Sequence, residues 1–312
     1  MTTSLSDAGV QFADASVLLS AAYSFGFKNR VINGTIKIDQ RNTGASQTFT
    51  AAAALAYCVD RFYGFCTGAN VTGQRVTLAN NQNRYRFTGL AGVTGVGFGQ
   101  RIESFNCMDL AGLNASLQVK LSSSSLTAIT WTAYYATASD TFGTLAAPTR
   151  TQIATGTFTI NSSEATYTAV MAIPAAATTG IEIVFTGGAL LATQTLTIGD
   201  VQFEAGNAAT SFEQTNMIAT LANCQRYFFR TLDFYGVQGN ADSAGRLLVS
   251  NYSFPVTMRA VPTGLTGAYS SFTNATQGSF SATVSSAIAS LSASAVGGFS
   301  ANITWGSFSA EL

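Results

Sequence analysis

The side chains that could do chemistry in this chain are carboxylates and aromatic rings, because its 312 residues include no histidine. Without an imidazole, the chain lacks the usual general base near neutral pH, and it cannot form Ser-His-Asp or Cys-His catalytic arrangements. Zinc and iron sites with histidine ligands are excluded for the same reason. The residue types therefore favour a binding or structural protein over an enzyme.

Acidic side chains are present in the number that a glycosidase needs, but no motif pairs two of them. Such an enzyme requires two carboxylates roughly 5 to 9 Å apart across the sugar bond. The candidates are Asp39, Asp60, Glu103, Asp109, Glu182, Asp200 and Glu204. Glu182 alternates with Ile181 and Ile183, which predicts the solvent-facing side of a strand. We therefore expect no catalytic activity.

Aromatic rings are the second group, because sugars stack their C–H faces on rings while amides and carboxylates hold the hydroxyl groups. The candidate ligand-binding residues are Trp305, Tyr252, Tyr235 and Trp131. Core packing is the alternative for each of them. Trp131 and Tyr135 share one face of a predicted strand and Tyr134 lies on the other, so at least one of these faces is core. Trp305 lies in a stretch rich in Ser, Gly and Asn, where fewer core positions compete for it.

The four cysteines show no zinc or redox spacing. They are Cys58, Cys66, Cys107 and Cys224, without a C-x-x-C pair. We expect reduced thiols that pack as small apolar residues. A disulfide between Cys58 and Cys66 is the alternative.

Charge is balanced over the whole chain but not along it. Residues 1–102 carry nine basic and four acidic side chains, residues 103–225 two and eight, and residues 226–312 four and three. A net charge of zero and an isoelectric point of about 6.2 argue against a nucleic-acid partner. Apolar runs remain too short for membrane insertion, and Asp7 and Asp14 before the first Lys argue against a signal peptide.

Short runs rich in Val, Ile, Thr, Phe and Tyr recur along the chain between Gly, Asn or Asp residues. This pattern is typical of antiparallel β structure. The runs are too many and too evenly spaced for an α/β fold, in which helices would separate them. The pattern predicts a mainly β protein.

One segment, residues 210–230, has helical periodicity and contains no Gly or Pro. The apolar stripe consists of Met217, Ile218, Leu221, Cys224 and Phe228. We predict a helix of about 12 to 16 residues within 210–228. Thr210 and Glu213 match a capping box at its start. The stripe packs on its own domain or lies near the axis of a symmetric oligomer.

Five segments occur in an order that resembles tail-fibre-type structural proteins of tailed bacteriophages and prophages. They are NRVINGTIKIDQRN from Asn29, YCVDRFYGF from Tyr57, QRIES from Gln100, DVQFEAGNAATSFEQ from Asp200 and CQRYFFR from Cys224. The resemblance covers about residues 29–230, and SFPVTMRAVPTG from Ser253 resembles the distal module of such proteins. It implies a virion protein, assembled in the cytoplasm of the host bacterium, that forms a homotrimer.

The first part also resembles carbohydrate-binding jelly rolls, which open with an N-G element and close with a D-V strand. First and last strands of a sandwich often lie side by side, so we expect Asn33-Gly34 beside Asp200-Val201. The resemblance implies a calcium site at Asn33 and Asp200, although Thr35 and Lys37 stand where the pattern has further acids. No other cofactor is implied.

Together these features predict a jelly-roll β-sandwich followed by a short helix and a small carboxy-terminal β domain. The predicted parts are an amino-terminal attachment arm at 1–28, a jelly roll at 29–206, a linker helix region at 207–230 and a distal β domain at 231–312. Two functions stay open. One is a fibre that binds a host surface glycan, and the other is a structural virion component, such as a head fibre, capsid decoration protein or tail adaptor. In either case the arm is expected to contact other virion proteins.

Overall fold

The computed structural model describes residues 28–52, 54–231, 234–263 and 267–312, together with the backbone of three short strands before residue 28. These strands are β1 Ser4–Ser6, β2 Gly9–Gln11 and β3 Val17–Leu18, and they pair as an antiparallel sheet. The other residues of the predicted arm, up to residue 27, lie outside the described residues.

The first domain contains twelve strands in two six-stranded antiparallel sheets. In chain order they are β4 Gln47–Phe49, β5 Ala56–Tyr57, β6 Phe62–Thr67, β7 Val71–Thr77, β8 Asn83–Thr88, β9 Gly95–Ile102, β10 Asn114–Ser123, β11 Ala128–Ala136, β12 Arg150–Thr159, β13 Ala165–Ala172, β14 Ile181–Gly187 and β15 Thr195–Ala205. One sheet has the order β13-β10-β15-β8-β7-β4, and the other β12-β11-β14-β9-β6-β5. The chain passes back and forth between the two sheets, as in a jelly roll.

The sandwich core forms between the inner faces of the two sheets because apolar and polar residues alternate along the strands. In β11, Ile129, Trp131 and Ala133 are buried, whereas Thr130 and Thr132 between them are half-buried. Aromatic rings fill much of the space, with Phe62 and Phe98 stacked at a centroid distance of 4.7 Å. Two 3-10 turns, Ser104–Asn106 and Met108–Leu110, connect β9 to β10.

The helix α1, Met217–Gln225, is shorter than predicted and begins later. Its N-cap is Asn216, whose side chain accepts hydrogen bonds from the amides of Ile218 and Ala219. The predicted capping box is wrong because its two residues are engaged elsewhere. Thr210 donates from its main-chain N to Glu204 Oε1 at 2.7 Å, and Glu213 accepts from the main-chain N of Asn29. These bonds hold the segment before Asn216 against the sandwich.

The carboxy-terminal domain is a second, smaller β unit. Its strands are β16 Phe228–Arg230, β17 Phe234–Ala241, β18 Leu247–Ser253, β19 Gly267–Thr273, β20 Ala275–Ala282, β21 Ser286–Ala293, β22 Gly297–Trp305 and β23 Ser307–Ser309. They form sheets of order β17-β22-β19, β18-β21-β20 and β16-β23. In β21, small and apolar residues alternate so that Ala287, Ala289 and Leu291 are buried. The predicted fold class, a jelly roll followed by a short helix and a small β domain, is confirmed.

Candidate functional site

Three of the four rings predicted to bind a ligand surround one depression of the carboxy-terminal domain. The depression has a volume of about 280 Å³ and is lined by Tyr235, Ser250, Asn251, Tyr252, Ser253 and Trp305. Tyr235 belongs to β17, the next four residues to the edge strand β18, and Trp305 ends β22. The fold thus brings together residues that are up to 70 positions apart in the sequence.

The three rings of this depression differ in exposure. Tyr235 is 43% exposed and meets Tyr252 edge to face at a centroid distance of 6.0 Å. Tyr252 in turn contacts Trp305 at 5.7 Å. Trp305 is only 1% exposed, because Phe280 and Phe308 pack against it in the core. The two tyrosines can therefore touch a ligand, while Trp305 supports them from the core. The prediction of Trp305 as a contacting ring is corrected accordingly.

The polar groups beside the tyrosines suit a neutral, hydroxyl-rich ligand. Ser250, Asn251 and Ser253 supply two hydroxyls and an amide, and no charged residue is among those that line the depression. The amide of Asn251 is exposed and makes no hydrogen bond to another residue that the structure describes. Such groups can both donate and accept hydrogen bonds. The depression therefore offers the ring surface and the polar groups that sugar binding requires.

Trp131 does not belong to this depression. It lies in the core of the sandwich, where its ring stacks on Phe158 at a centroid distance of 6.2 Å. The inward set of β11 includes Trp131, so the core alternative is the correct one for this ring.

The five segments that carry the family resemblance meet at one place, between the sandwich, the helix and the carboxy-terminal domain. We call this region the joint. It comprises residues 29–42, 57–65, 100–104, 200–214 and 224–230. Val201 N donates to Gly34 O at 3.0 Å, so the predicted adjacency of the N-G and D-V elements is confirmed. A Cβ at Gly34 would lie 2.1 Å from Val201 O, which explains why glycine occupies this position.

Asparagine and glutamine side chains stabilise the joint by forming hydrogen bonds with main-chain groups that have no partner strand there. Asn29 Oδ1 accepts from the amides of Val31 and Phe203, each at 3.0 Å, while its Nδ2 donates to Val201 O at 3.0 Å. The Gln100 amide pairs with Ile32 in both directions at 2.8 Å. Each buried backbone group served in this way avoids the cost of an unmade hydrogen bond.

A buried ionic cluster lies at the centre of the joint. Arg61 is 1% exposed and contacts the Glu311 carboxylate, with its guanidinium carbon 3.5 Å from the ring centroid of Tyr227. Arg41 donates to Glu311 at 2.8 Å. Burial alone would lower the pKa of Arg61, but the charge of Glu311 together with smaller contributions from Tyr227, Tyr57 and Cys224 outweighs burial and raises that pKa. Arg61 therefore stays charged, and the single Glu311 carboxylate pairs with both arginines.

Residues 310–312, which follow the last strand in the sequence, also contact the joint. Ala310 N donates to Tyr227 O at 2.7 Å, and the phenol of Tyr57 donates to Leu312 O at 2.8 Å. Arg101 Nη1 also donates to Leu312 O, at 2.9 Å. No local pattern in the sequence pairs residues so far apart, so these partners were not predicted. Arg41, Arg61 and Arg101 in the motifs could have indicated such partners, because a buried arginine requires an acceptor or a carboxylate beside it.

Asp60 and Glu103 are two further buried carboxyl groups of the joint. Asp60 is fully buried, and burial raises its pKa to about 6, an effect that the hydrogen bonds of Gln40 partly offset. Glu103 accepts from Arg226 at 3.0 Å and from the Tyr227 phenol at 2.8 Å. Burial also raises the pKa of Tyr227 to about 12, so this phenol stays protonated and can donate.

Glu182 is fully buried, so the prediction of a solvent-facing position is wrong. Its carboxylate accepts from the Tyr63 phenol at 2.7 Å and from Arg101 Nε at 2.9 Å, and it also pairs with Arg150. Arg150 lies on β12, and its guanidinium carbon is 4.2 Å from the ring centroid of Tyr134. Long side chains from neighbouring strands thus cover this part of the outer face.

The two residues of the implied calcium site already have protein partners. Asn33 Nδ2 donates to Ile38 O at 2.8 Å and to Asp60 O at 3.0 Å. The Asp200 carboxylate pairs with Arg84 and with Lys120, each at 3.1 Å. A calcium ion would have to displace both cations. Among the described residues, no three His, Cys, Asp or Glu side chains group together in a way that could hold a metal.

The predicted oligomer stripe divides into two halves. Met217 and Ile218 are exposed, Ile218 to 79%, and Leu221 is half-buried. Cys224 and Phe228 are buried within the chain itself, and Phe228 belongs to β16 rather than to the helix. Of the residues of this stripe, only Met217 and Ile218, in the first turn of α1, are therefore exposed.

The remaining predictions concern thiols and membranes. All four cysteines are free and buried, so the reduced state is confirmed and the Cys58–Cys66 disulfide is not formed. Burial raises the pKa of Cys58 to about 12, which keeps that thiol protonated and unreactive.

Within the part of the chain that the structure describes, no helix is long and apolar enough to span a bilayer.

Comparison with known proteins gives distant structural likenesses only. No protein-family model matches the chain, and no curated protein matches it significantly. A CBM4 structure shares 15% identity at a TM-score of 0.33, covering 56% of this chain and 98% of that one. A putative sugar binding protein from Bacteroides thetaiotaomicron VPI-5482 shares 11% identity at a TM-score of 0.36, covering 57% and 100%.

A domain of bacteriophage CBA120 tailspike protein 4, described as enzymatically active, is similar at 13% identity and a TM-score of 0.33. The match covers 57% of this chain and 22% of the tailspike chain. The chain thus spans about a fifth of the length of that tailspike structure.

Proposed function

We propose that this protein is a non-catalytic bacteriophage fibre that binds a surface glycan of the host. The observation that carries the proposal is the depression in which Tyr235 and Tyr252 present ring surface beside Ser250, Asn251 and Ser253. The uncharged lining favours neutral hydroxyl groups over anionic ones. The order of the five resembling segments supports the virion role, with assembly in the host cytoplasm.

An adsorption and binding experiment tests the depression. The full-length protein is applied to an array of bacterial surface polysaccharides and to the cells from which they come. Tyr235→Ala is compared with Val249→Ala, an exposed residue on β18 that does not line the depression. We expect Tyr235→Ala to weaken binding by about tenfold, the value of a lost stacking contact. Equal binding by both variants would remove the depression as the site.

In this proposal the protein acts as a homotrimer. One shallow sugar site is worth about 4 kcal/mol, a millimolar affinity. Three sites on one rigid axis raise the effective affinity by roughly two to four powers of ten without new contacts. The exposed Met217 and Ile218 side chains are the proposed contacts between subunits, and residues 1–28 the proposed attachment to other virion proteins. Neither a nucleic acid nor a membrane is a partner in this proposal.

Light scattering tests the trimer. We expect a trimer for the intact chain, and a monomer after Met217→Ser with Ile218→Ser, because each large apolar side chain contributes about 1.5 to 3 kcal/mol when buried. Val296→Ser, at another exposed apolar position, is the matched control. A monomeric intact chain at micromolar concentration contradicts the proposal.

A second candidate is a structural virion component without a ligand, such as a head fibre, capsid decoration protein or tail adaptor. One observation favours it: the resembling segments form the buried joint and do not line the tyrosine depression. The location of the chain in the virion separates the two functions. Cryo-microscopy with a labelled chain on the capsid shell supports the second, and a chain at the distal tail supports the first.

A further inference from the structure

A larger cavity opens at the joint, on the side where the sandwich meets the helix. It has a volume of about 620 Å³ and is lined by Asn29, Arg30, Ile32, Phe105, Asn106, Asn223, Arg226 and Tyr227. This volume falls within the range of about 300 to 1,000 Å³ that small-molecule sites occupy. It shares no residue with the tyrosine depression.

Phe105 supplies an aromatic surface at this cavity. Its side chain is 78% exposed, although most phenylalanines of the sandwich are in the core. The ring is carried by the 3-10 turn Ser104–Asn106, whose backbone Asp140 fixes by accepting from Ser104 N at 2.7 Å. An exposed ring at a fixed backbone position can stack on an apolar ligand face.

The polar groups around Phe105 are arranged for hydroxyl groups. The exposed Asn223 amide makes no hydrogen bond to another residue that the structure describes. Asn106 Nδ2 donates to the Tyr227 phenol at 3.3 Å, a long bond that leaves the second amide hydrogen free. Asn223 comes from the helix and Asn106 from the sandwich, so both elements contribute an amide to the lining of the cavity.

The charges at the cavity are balanced within the protein. Arg30 pairs with Asp109 at 2.6 Å, and Arg226 pairs with both oxygens of Glu103 at 3.0 and 3.1 Å. A phosphate or carboxylate ligand would have to compete with these carboxylates for the guanidinium groups. A neutral ligand meets no such competition, and it can accept hydrogen bonds from guanidinium edges that remain in place.

We propose that the joint cavity is a second carbohydrate site, which binds a neutral oligosaccharide. One sugar ring stacks on Phe105, while Asn223 and Asn106 hydrogen-bond its hydroxyl groups and Arg226 donates from its position on Glu103. The proposal rests on the glycan-binding function proposed above, but it assigns a different surface with its own ring. Because residues of the sandwich and of the helix both line it, the site needs both elements in place.

The experiment uses the full chain and an array of neutral gluco-, galacto- and manno-oligosaccharides, followed by calorimetric titration with the strongest binder. Phe105→Ala and Asn223→Ala are compared with Tyr235→Ala. Met108→Ala is the matched control, because Met108 is exposed on the next 3-10 turn and does not line the cavity. We expect Phe105→Ala and Asn223→Ala to weaken binding at one site by about tenfold, while Met108→Ala binds like the parent. Thermal unfolding checks that each variant is folded.

The outcomes separate this inference from the proposed function. If Phe105→Ala and Asn223→Ala bind like the parent while Tyr235→Ala loses binding, the joint cavity is not a site and the depression is. If only the cavity variants lose binding, the inference stands and the depression is not a site. If Phe105→Ala and Met108→Ala lose the same affinity for the oligosaccharide, binding depends on non-specific apolar contact and the inference is overturned. An array on which no neutral oligosaccharide binds the intact chain overturns the inference, while the proposed function is decided by the bacterial polysaccharides and cells of the earlier experiment.

Discussion

The joint and the tyrosine depression differ in how their residues are used. In the joint, the half-buried Asn29 and the buried Arg61 and Gln100 satisfy backbone groups and charges of the protein itself. In the depression, Tyr235 and Asn251 are exposed on or beside an edge strand and carry no motif. The difference shows that residues with a recognisable order can serve architecture, while the proposed ligand surface lies on strands that carry no motif, β17 FYGVQGNA and β18 LLVSNYS.

The largest effect that we expect comes from breaking the ionic cluster of the joint. Glu311→Ala leaves Arg61 and Arg41 without their carboxylate, and the Arg61 side chain is 1% exposed. Removing one partner of a buried ion pair costs about 3 to 5 kcal/mol in the free energy of unfolding. Urea denaturation measures it. Asp242→Ala breaks the exposed pair with Arg246 and is expected to cost at most about 1 kcal/mol. Similar losses in the two variants would show that the joint is solvated.

The next effect is a pH dependence centred on Asp60. Burial raises its pKa from 3.8 to about 6, so the folded state binds this proton more tightly than the unfolded chain. The stability that it contributes is present below about pH 4 and is lost as the pH rises through 6, which amounts to at most about 3 kcal/mol. Gln40 and Arg41 oppose the shift, and Glu311 adds to it.

Asp60→Asn removes this titration. We expect the variant to lose less stability than the parent between pH 4 and pH 7, as measured by denaturation at each pH. The difference between the two curves isolates Asp60 from the other carboxyl groups, including Glu164, whose pKa its hydrogen bond with Arg84 lowers. Parallel curves for parent and variant would show that Asp60 titrates normally.

A smaller effect tests the contact between the N-G and D-V elements. A Cβ at Gly34 would lie 2.1 Å from Val201 O, a main-chain atom that can move only with its strand. We expect Gly34→Ala to cost about 1 to 3 kcal/mol by overpacking. Gly188→Ala has no heavy atom within 4 Å of its Cβ and is expected to be near neutral. Thermal unfolding of both variants decides, and equal midpoints would contradict the contact.

The smallest effect on stability is expected in the depression. Tyr235→Ala removes a ring that is 43% exposed, so the free energy of unfolding should change by no more than about 1 kcal/mol. The same variant is expected to bind the glycan about tenfold more weakly. Urea denaturation and calorimetric titration of the same preparation measure the free energy of unfolding and the affinity for the glycan. A large loss of stability would assign Tyr235 to the core and remove the contrast with the joint.

The sequence predicted what depends on local periodicity. Most of the strand runs and the helix around Leu221 agree with the structure. The adjacency of Gly34 and Val201 is also correct, but it followed from the jelly-roll resemblance and not from local periodicity. The errors arose where distant groups decide. Glu182 alternates like an exposed residue but is covered by Arg150 from another strand, and Thr210 resembles a cap but is held by Glu204.

Side-chain burial in the carboxy-terminal domain was equally out of reach. Trp305 stands among small polar residues, yet it is buried because Phe280 and Phe308 come from other strands. The depression was predicted only in part: the aromatic residues could be selected by type, whereas their division into contacting and supporting rings depends on packing. The joint cavity gave no signal, since Phe105 in the sequence looks like any other core phenylalanine.

The contact of Glu311 with Arg61 has a consequence for biosynthesis. The two residues are 250 positions apart, so a chain that leaves the ribosome from its amino terminus completes the sandwich long before Glu311 is made. Contacts of such high sequence separation also form slowly, because loop closure precedes the gain. Until then Arg61, Arg41 and the ring of Tyr227 stay open to water. We therefore expect the joint to close late in folding, after the chain has been synthesised through residue 311.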